Sequence, residues 1–195
     1  MIKVANIYII IYIMINFYKP NSKKTGHACS FQYAKDGNFY FSFAKQTGWN
    51  DSSKTGSFKS KDRSNTINGK LSVTEVCSII DSIDSNREFS AFHKSAKQTL
   101  SMKFGPYVRN EEQIGYTFSV NRKSEAGESK GYLIGFNFGE AIQVREYLKT
   151  ALQTVFAGLI EKSQQLNVNS KPKKEEPVKQ EQPPQQEEDE IEIDF

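Results

Sequence analysis

The sequence predicts an α+β fold in which two four-stranded antiparallel sheets pack with two helices, in the order ββββα-ββββα. Alternation of apolar and polar residues recurs in short segments, as strands require, and two longer stretches show helical periodicity. Each helical stretch follows a group of strand segments, so the chain consists of two similar halves. Each sheet should have one apolar face and one polar or aromatic face, because helices cover only one side.

A capping box marks the start of the first helix. Ser72 and Glu75 are three residues apart, so each side chain can bond the backbone N–H of the other. Beyond the box, an apolar stripe at helical spacing consists of Val76, Ile79, Ile80 and Ile83. The pattern predicts a helix over residues 73–82.

The strands of the first half precede that helix. We predict strands over residues 27–33 and 39–44, around Phe58, and over 64–71. Residues 35–38, with the sequence Lys-Asp-Gly-Asn, predict a turn. Residues 46–57 contain Trp49 and two glycines and are interpreted as a loop.

The pattern repeats after residue 86. We predict strands over residues 89–93, 98–107, 114–120 and 132–138, with a polar turn before the last. A long helix should open at Gly139-Glu140 and run to about Lys162. Its predicted inward stripe contains Ile142, Val144, Leu148, Ala151, Leu152, Val155, Phe156 and Leu159.

Residues 1–17 are strongly apolar, and three interpretations are open. A signal peptide fits poorly, because Lys3 is the only early charge and no small-residue cleavage site follows. A membrane anchor fits poorly too, since the run between Lys3 and Lys19 is shorter than the ~20 residues that span a bilayer. We favour an upstream extension ahead of a true start at Met14, followed by a folded domain over 18–165.

Charge is divided unequally along the chain. Residues 171–195 hold four Lys against seven Glu and two Asp, a net charge of −5, whereas the other 170 residues carry +8. A basic body with an acidic tail predicts a polyanion-binding domain whose tail competes with the polyanion. The Lys, Glu, Gln and Pro composition from Asn167 onward cannot bury a core, so residues 166–195 are predicted to be disordered.

Motifs for catalysis are not found in the sequence. Cys29 and Cys77 are interpreted as reduced thiols, and no Cys or His pair has the spacing of metal ligands. There is neither a phosphate loop nor a nucleophile elbow. We therefore expect a protein that is not an enzyme and uses no cofactor, metal or small-molecule substrate.

Three segments resemble the Whirly family of single-stranded-DNA-binding proteins, which has relatives among mitochondrial guide-RNA-binding proteins. They are Leu71-Ser72-Val73-Thr74-Glu75-Val76, Phe118-Ser119-Val120-Asn121 and Tyr132-Leu133-Ile134. The family's basic first-strand segment has a looser counterpart in Lys24-Thr25-Gly26-His27-Ala28-Cys29, with His27 at the second basic position. The resemblance covers about Tyr18 to Ile160. It implies a homotetramer that holds single-stranded DNA along open sheet faces without strict sequence preference.

The end of the chain resembles the acidic tip of bacterial single-stranded-DNA-binding proteins, which finishes with Asp residues followed by Ile-Pro-Phe. This chain finishes with Ile193-Asp194-Phe195, with Asp in place of Pro. A terminal Phe and its carboxylate can fill an apolar pocket beside a basic side chain. We predict that replication or repair proteins bind the tip residues Asp189, Glu190, Ile191, Glu192, Ile193, Asp194 and Phe195.

Nonspecific binding of a single strand needs exposed rings for the bases and cations for the phosphates. We predict that Tyr33, Tyr40 and Trp49 stack on bases. The predicted phosphate contacts are Lys24, Lys45, Lys54, Lys59, Lys61, Arg63 and Lys103.

Three functions are compatible with these patterns. The favoured one is a protein that coats single-stranded DNA in replication, recombination or repair and recruits partners through its tip. We expect it in the cytoplasm of a bacterial cell or a phage-infected host, together with DNA. The alternatives are an RNA-binding or annealing protein on the same scaffold, and a membrane-tethered protein-interaction module that uses residues 1–17.

Overall fold

The computed structural model describes residues 14–169, with side chains described as far as residue 165. Residues 1–13 and 170–195, and with them the predicted partner-binding tip, lie outside the described part. Chain contacts define one compact unit that ends at Gly158 and a second that begins at Leu159. Within the described residues, neither helix combines the length and the apolar character needed to cross a membrane.

The first sheet is antiparallel and is built around one long central strand. Its strands are β1 (Met14–Lys19), β2 (His27–Tyr33), β3 (Phe39–Asn50), β4 (Thr55–Phe58) and β5 (Thr66–Leu71). β2 lies between β1 and β3, while the first part of β3 also pairs with β5 and its last part with β4. A 3-10 turn, Arg63–Asn65, leads into β5.

The second sheet is a simple antiparallel meander whose strands come between the two helices in chain order. Helix α1 (Val73–Ser85) precedes it and helix α2 (Phe138–Asn169) follows it. The strands are β6 (Phe89–Lys94), β7 (Gln98–Arg109), β8 (Glu112–Ser124) and β9 (Ser129–Phe136), each paired with the next. The predicted architecture of two antiparallel sheets with two helices is confirmed.

Two segments of the first sheet differ from the prediction. β1 adds a strand from residues that were assigned partly to the apolar extension, because their alternation is hidden in a longer apolar run. The predicted loop over 46–57 is a β-hairpin formed by the end of β3 and by β4. The interpretation of Trp49 as a loop residue was therefore wrong, since it pairs with Gly56 inside this hairpin.

The inner faces of the two sheets share one aromatic core. Phe118 of β8 is fully buried at its centre. Its ring centroid lies 5.2–6.0 Å from four other buried rings, those of Phe31, Phe41, Phe43 and Phe104. Because rings from both sheets meet there, Phe118 joins the two halves of the chain.

The buried stripe of α2 is narrower than predicted. Ala141, Val144, Leu148, Ala151 and Leu152 are buried, as the helical spacing requires. The prediction was wrong for three other members of the stripe, since the side chains of Ile142, Phe156 and Leu159 are exposed. Ile142 directly follows Ala141, so it is turned by about 100° away from the buried direction.

Both helices begin with the same capping arrangement. The Glu75 carboxylate accepts from the Ser72 N–H at 2.7 Å, and the Glu75 N–H donates to the Ser72 hydroxyl at 3.2 Å. In α2, Asn137 and Glu140 exchange the equivalent bonds at 2.9 and 2.8 Å. The predicted capping box is confirmed in α1, and a second box starts α2.

Each capping glutamate also binds a basic side chain from the other half of the chain. Glu75 lies 2.6 Å from the His93 imidazole of β6, and Glu140 forms an ion pair with Lys19 of β1. Burial raises the pKa of the Glu75 carboxyl, but the Ser72 N–H and His93 outweigh it and hold that pKa below its ordinary value. These two pairs therefore connect the two halves of the chain at the starts of the helices.

Candidate functional site

The open face of the second sheet is polar and carries two exposed apolar side chains. In β7, Leu100, Met102 and Phe104 face the core, so the intervening residues face outward. The register aligns the outward residues in two neighbouring rows across the sheet: Phe92, Ser101, Asn121 and Gly131, and Ser90, Lys103, Ser119 and Leu133. This face thus offers hydroxyls, an amide and a cation beside apolar surface.

A shallow groove of about 420 Å³ lies on this face. The outward side chains that line it are those of Ser90, Phe92, Ser101, Lys103, Ser119 and Asn121. The aromatic and neutral polar groups of this lining suit the face and edge of a planar ring, and Lys103 suits an anion.

Phe92 is the most exposed ring on this face, with 63% of its surface accessible, and it was not among the predicted site residues. It is three positions from Phe89, which packs against the core. Residues an odd number apart in a strand point to opposite faces, so one of these two rings had to be exposed. That parity was visible in the sequence and is the signal that could have identified Phe92.

A glycine on β9 gives the Asn121 side chain its place on the open face. A Cβ added at Gly131 would overlap the side-chain amide oxygen of Asn121. No hydrogen bond joins the Asn121 amide to any residue described in the structure. The amide therefore keeps its donor and acceptor available on the surface.

The open face of the first sheet carries Tyr40, because it alternates with the buried Phe39 and Phe41 along β3. Its hydroxyl donates to the Asp36 carboxylate at 2.7 Å. That hydrogen bond raises the pKa of Tyr40, and bonds from Asn38 and Tyr40 lower the pKa of Asp36. Lys70 of β5 lies opposite Tyr40, so the ring has an acid on one side and a base on the other.

The other two predicted stacking residues are placed differently from Tyr40. Tyr33 follows Phe31 by two positions and therefore lies on the inner face, where its ring packs 5.1 Å from that of Phe39. Tyr33 is therefore partly buried and does not lie on the open face that carries Tyr40. Trp49 is partly exposed, and its indole N–H donates to Asp51 at 2.9 Å.

The hairpin of β3 and β4 is anchored by a buried glutamine. The Gln46 amide donates to the carbonyls of Asn21 and Gly48 at 2.9 and 2.7 Å, and its oxygen accepts from the Asn21 N–H. These bonds fix the base of the hairpin on the loop between β1 and β2. The hairpin therefore carries Trp49 at a defined position.

Four of the predicted phosphate contacts are divided by this hairpin. Lys54 lies at its tip beside Asp51, whereas Lys59, Lys61 and Arg63 lie exposed beyond its other end. The four-residue length of β4, roughly 13 Å, separates the two groups. The four side chains thus do not form one patch.

The remaining predicted cations lie at three different places. Lys103 is on the open face of the second sheet and is paired with Glu88 at 2.7 Å. Lys24 is exposed in the turn between β1 and β2. Lys45 is exposed at the end of the inner face of β3, opposite His27 of β2.

These features define a class of protein: an α+β scaffold whose two sheets have bare polar faces with exposed rings. The sequence matches no protein-family model and none of the curated proteins compared with it.

Solved structures are similar to it in fold. Arabidopsis thaliana WHY1 has a TM-score of 0.56 at 16% identity, covering 78% of this chain and 92% of its own. The plant transcriptional regulator PBF-2 has a TM-score of 0.55 at 17% identity, covering 84% and 98%. MRP1/MRP2 of Trypanosoma brucei has a TM-score of 0.53 at 14% identity, covering 75% and 89%. The chain therefore has the fold of the Whirly proteins.

Proposed function

We propose that this protein binds single-stranded nucleic acid on the open faces of its two sheets, with little sequence preference. The groove with Phe92 and Lys103 carries this proposal, because a ring and a cation on one bare sheet face match the two parts of a nucleotide. The fold shared with the Whirly proteins supports it. Binding and positioning are the whole activity, and no reaction is catalysed.

The favoured role is coating single-stranded DNA in replication, recombination or repair. A positive body attracts the backbone through long-range electrostatics, and Lys24, Lys59 and Lys61 are among its exposed cations. Such contacts hold the phosphates without reading the bases. We further propose that the protein acts as a homotetramer, as the Whirly resemblance implies.

A salt-dependent titration tests the binding. The full chain should bind single-stranded DNA more tightly than duplex DNA of equal length, because only unpaired bases can stack on exposed rings. The logarithm of the binding constant should fall linearly with the logarithm of the salt concentration. Fluorescence anisotropy measures both, and failure to bind single strands at low ionic strength would reject the function.

RNA is the second candidate ligand. The hydroxyls of Ser101 and Ser119 and the amide of Asn121 line the groove, and such groups can bond a ribose 2′-OH. Competition between oligo-dT and oligo-U of equal length separates the two ligands. Preference for oligo-U would replace the DNA role with an RNA role on the same surface.

The acidic tip is proposed to recruit replication or repair proteins. Deleting the nine residues from Glu187 to Phe195 removes six carboxylate side chains and the terminal Phe. DNA affinity should stay the same or rise, because the competing negative charge is lost, while partner capture should disappear. Loss of DNA binding on this deletion would contradict the recruiting role.

A further inference from the structure

The two packed sheets have basic residues at one end, at positions where apolar residues would be expected. Successive side chains of a strand point alternately to the inner and the outer face, and most inner side chains belong to the apolar core. At this end, the inner position next to the core is basic in four strands: His27 in β2, Lys45 in β3, Arg122 in β8 and Lys130 in β9. These four residues are called the cationic mouth below.

The register brings the mouth residues together in two pairs. His27 lies opposite Lys45 in the first sheet, and Arg122 lies opposite Lys130 in the second. The first inner residues beneath them, including Cys29, Phe43 and Val120, are buried. The mouth is therefore the place where the core ends and both inner faces open toward solvent.

Contacts across the sandwich connect the two pairs. The His27 ring lies 4.9 Å from the Tyr132 ring of β9, and Arg122 is close enough to lower the pKa of the Tyr132 hydroxyl, although burial raises it more. The Lys130 ammonium donates to the Ser64 carbonyl at 2.9 Å, which joins β9 to the turn before β5. Elements of both sheets thus converge on one small region.

The charge of the mouth is poorly compensated. Asp62 is the acid close enough to act on Tyr132, but its carboxylate already accepts from the Ser64 N–H and the Asn65 amide at 2.8 Å. Within the described residues, neither Lys45 nor Arg122 forms a hydrogen bond or a salt bridge. Like charges that converge in a half-buried site destabilise the fold unless an anion joins them.

We propose that the cationic mouth binds a phosphate of the nucleic-acid backbone where the strand passes over the end of the sandwich. This proposal deepens the proposed function and rests on it. A backbone that crosses this end would connect the open face of the first sheet to that of the second. The mouth supplies anion contacts on that path, whereas the two faces supply the surfaces for bases.

His27 reports directly on the occupancy of the mouth. Burial lowers the pKa of its imidazole, Lys45 lowers it further, and a bond to the Leu133 backbone opposes them. A bound phosphate would favour the protonated ring and raise that pKa. NMR titration of the two histidines, with His93 as an internal reference, measures the change.

The first experiment uses inorganic tripolyphosphate as the probe. Its addition to the full chain should raise the pKa of His27 and the melting temperature, because the anion binds only the folded protein. Arg122→Gln should lose most of both responses and should melt at a higher temperature than the wild type without the probe. Arg109→Gln, at the other end of the same β7–β8 pair, should behave as the wild type. An unmoved His27 pKa at saturating probe would overturn the proposal.

The second experiment separates this inference from the function on which it rests. With single-stranded DNA, Arg122→Gln should weaken binding about equally for all sequences and reduce the salt slope by about 0.7 for each lost phosphate contact. Wild-type binding with an unchanged slope in Arg122→Gln would reject the mouth and leave the function standing. If the wild type bound no DNA, both the proposed function and the cationic mouth as a site for the nucleic-acid backbone would be rejected.

Discussion

Replacing Phe118 by alanine should lower the free energy of unfolding by about 3–5 kcal/mol. The side chain is fully buried, and rings from both sheets surround it. Removing it leaves a cavity at the centre of the only aromatic cluster that joins these two inner faces within the described residues, and fixed strands on either side limit collapse. Urea denaturation followed by fluorescence measures the change.

Phe118→Leu is the matched control, because it keeps an apolar side chain and leaves a smaller cavity. It should lose less stability than Phe118→Ala. A cost below about 1 kcal/mol for Phe118→Ala would contradict the central role of this ring, since that is the range of ordinary substitutions.

Replacing Phe92 by alanine should weaken the binding of single-stranded DNA by about 5- to 140-fold. Stacking of one base on an aromatic side chain contributes about 1–3 kcal/mol, and each 1.4 kcal/mol is a factor of ten. Phe92 is the most exposed ring of this open face and lines its groove, so we expect it to contribute most to base stacking there. Anisotropy titrations at fixed salt measure the loss.

Two variants make the Phe92 test specific. Phe92→Trp keeps a flat ring and should retain or increase affinity. Phe138→Ala removes a similarly exposed phenylalanine at the start of α2, away from both open faces, and should leave affinity unchanged. Equal losses in Phe92→Ala and Phe138→Ala would show that the open face has no special part in binding. Urea denaturation should find Phe92→Ala within about 0.5 kcal/mol of the wild type.

The regular elements could be predicted because their signals are local. The alternation of Phe39, Phe41 and Phe43 assigns one face of β3 to the core, and all three side chains are buried. The spacing of Ser72 and Glu75 located the start of α1 correctly. Such patterns need no knowledge of distant residues, since they express the geometry of a single strand or helix turn.

Elements that depend on distant contacts could not be predicted. The β3–β4 hairpin contains Thr, Gly and Asn where alternation is weak, and its base is fixed by the bonds of Gln46 to Asn21. β1 lies in an apolar run in which a strand and an extension have the same composition. In both cases the deciding interactions come from residues far along the chain.

The orientation of the candidate site residues could be predicted only where alternation was applied consistently. Tyr40 and Lys103 alternate with buried core residues of their strands and lie on the open faces. The same parity, applied to Tyr33 and Phe92, would have moved the first inward and the second outward. The cationic mouth could not be found this way, because its residues come from four strands that only the packing of the two sheets brings together.

The ion pairs at the starts of the two helices affect how the two halves of the chain fold. Glu75 of the first half is held by His93 of the second, and Glu140 of the second is held by Lys19 of the first. A fragment that ended before β6 would leave one capping carboxylate without its base and half of the aromatic cluster in water. We therefore expect that neither half folds alone and that both unfold in a single cooperative transition, which calorimetry can measure.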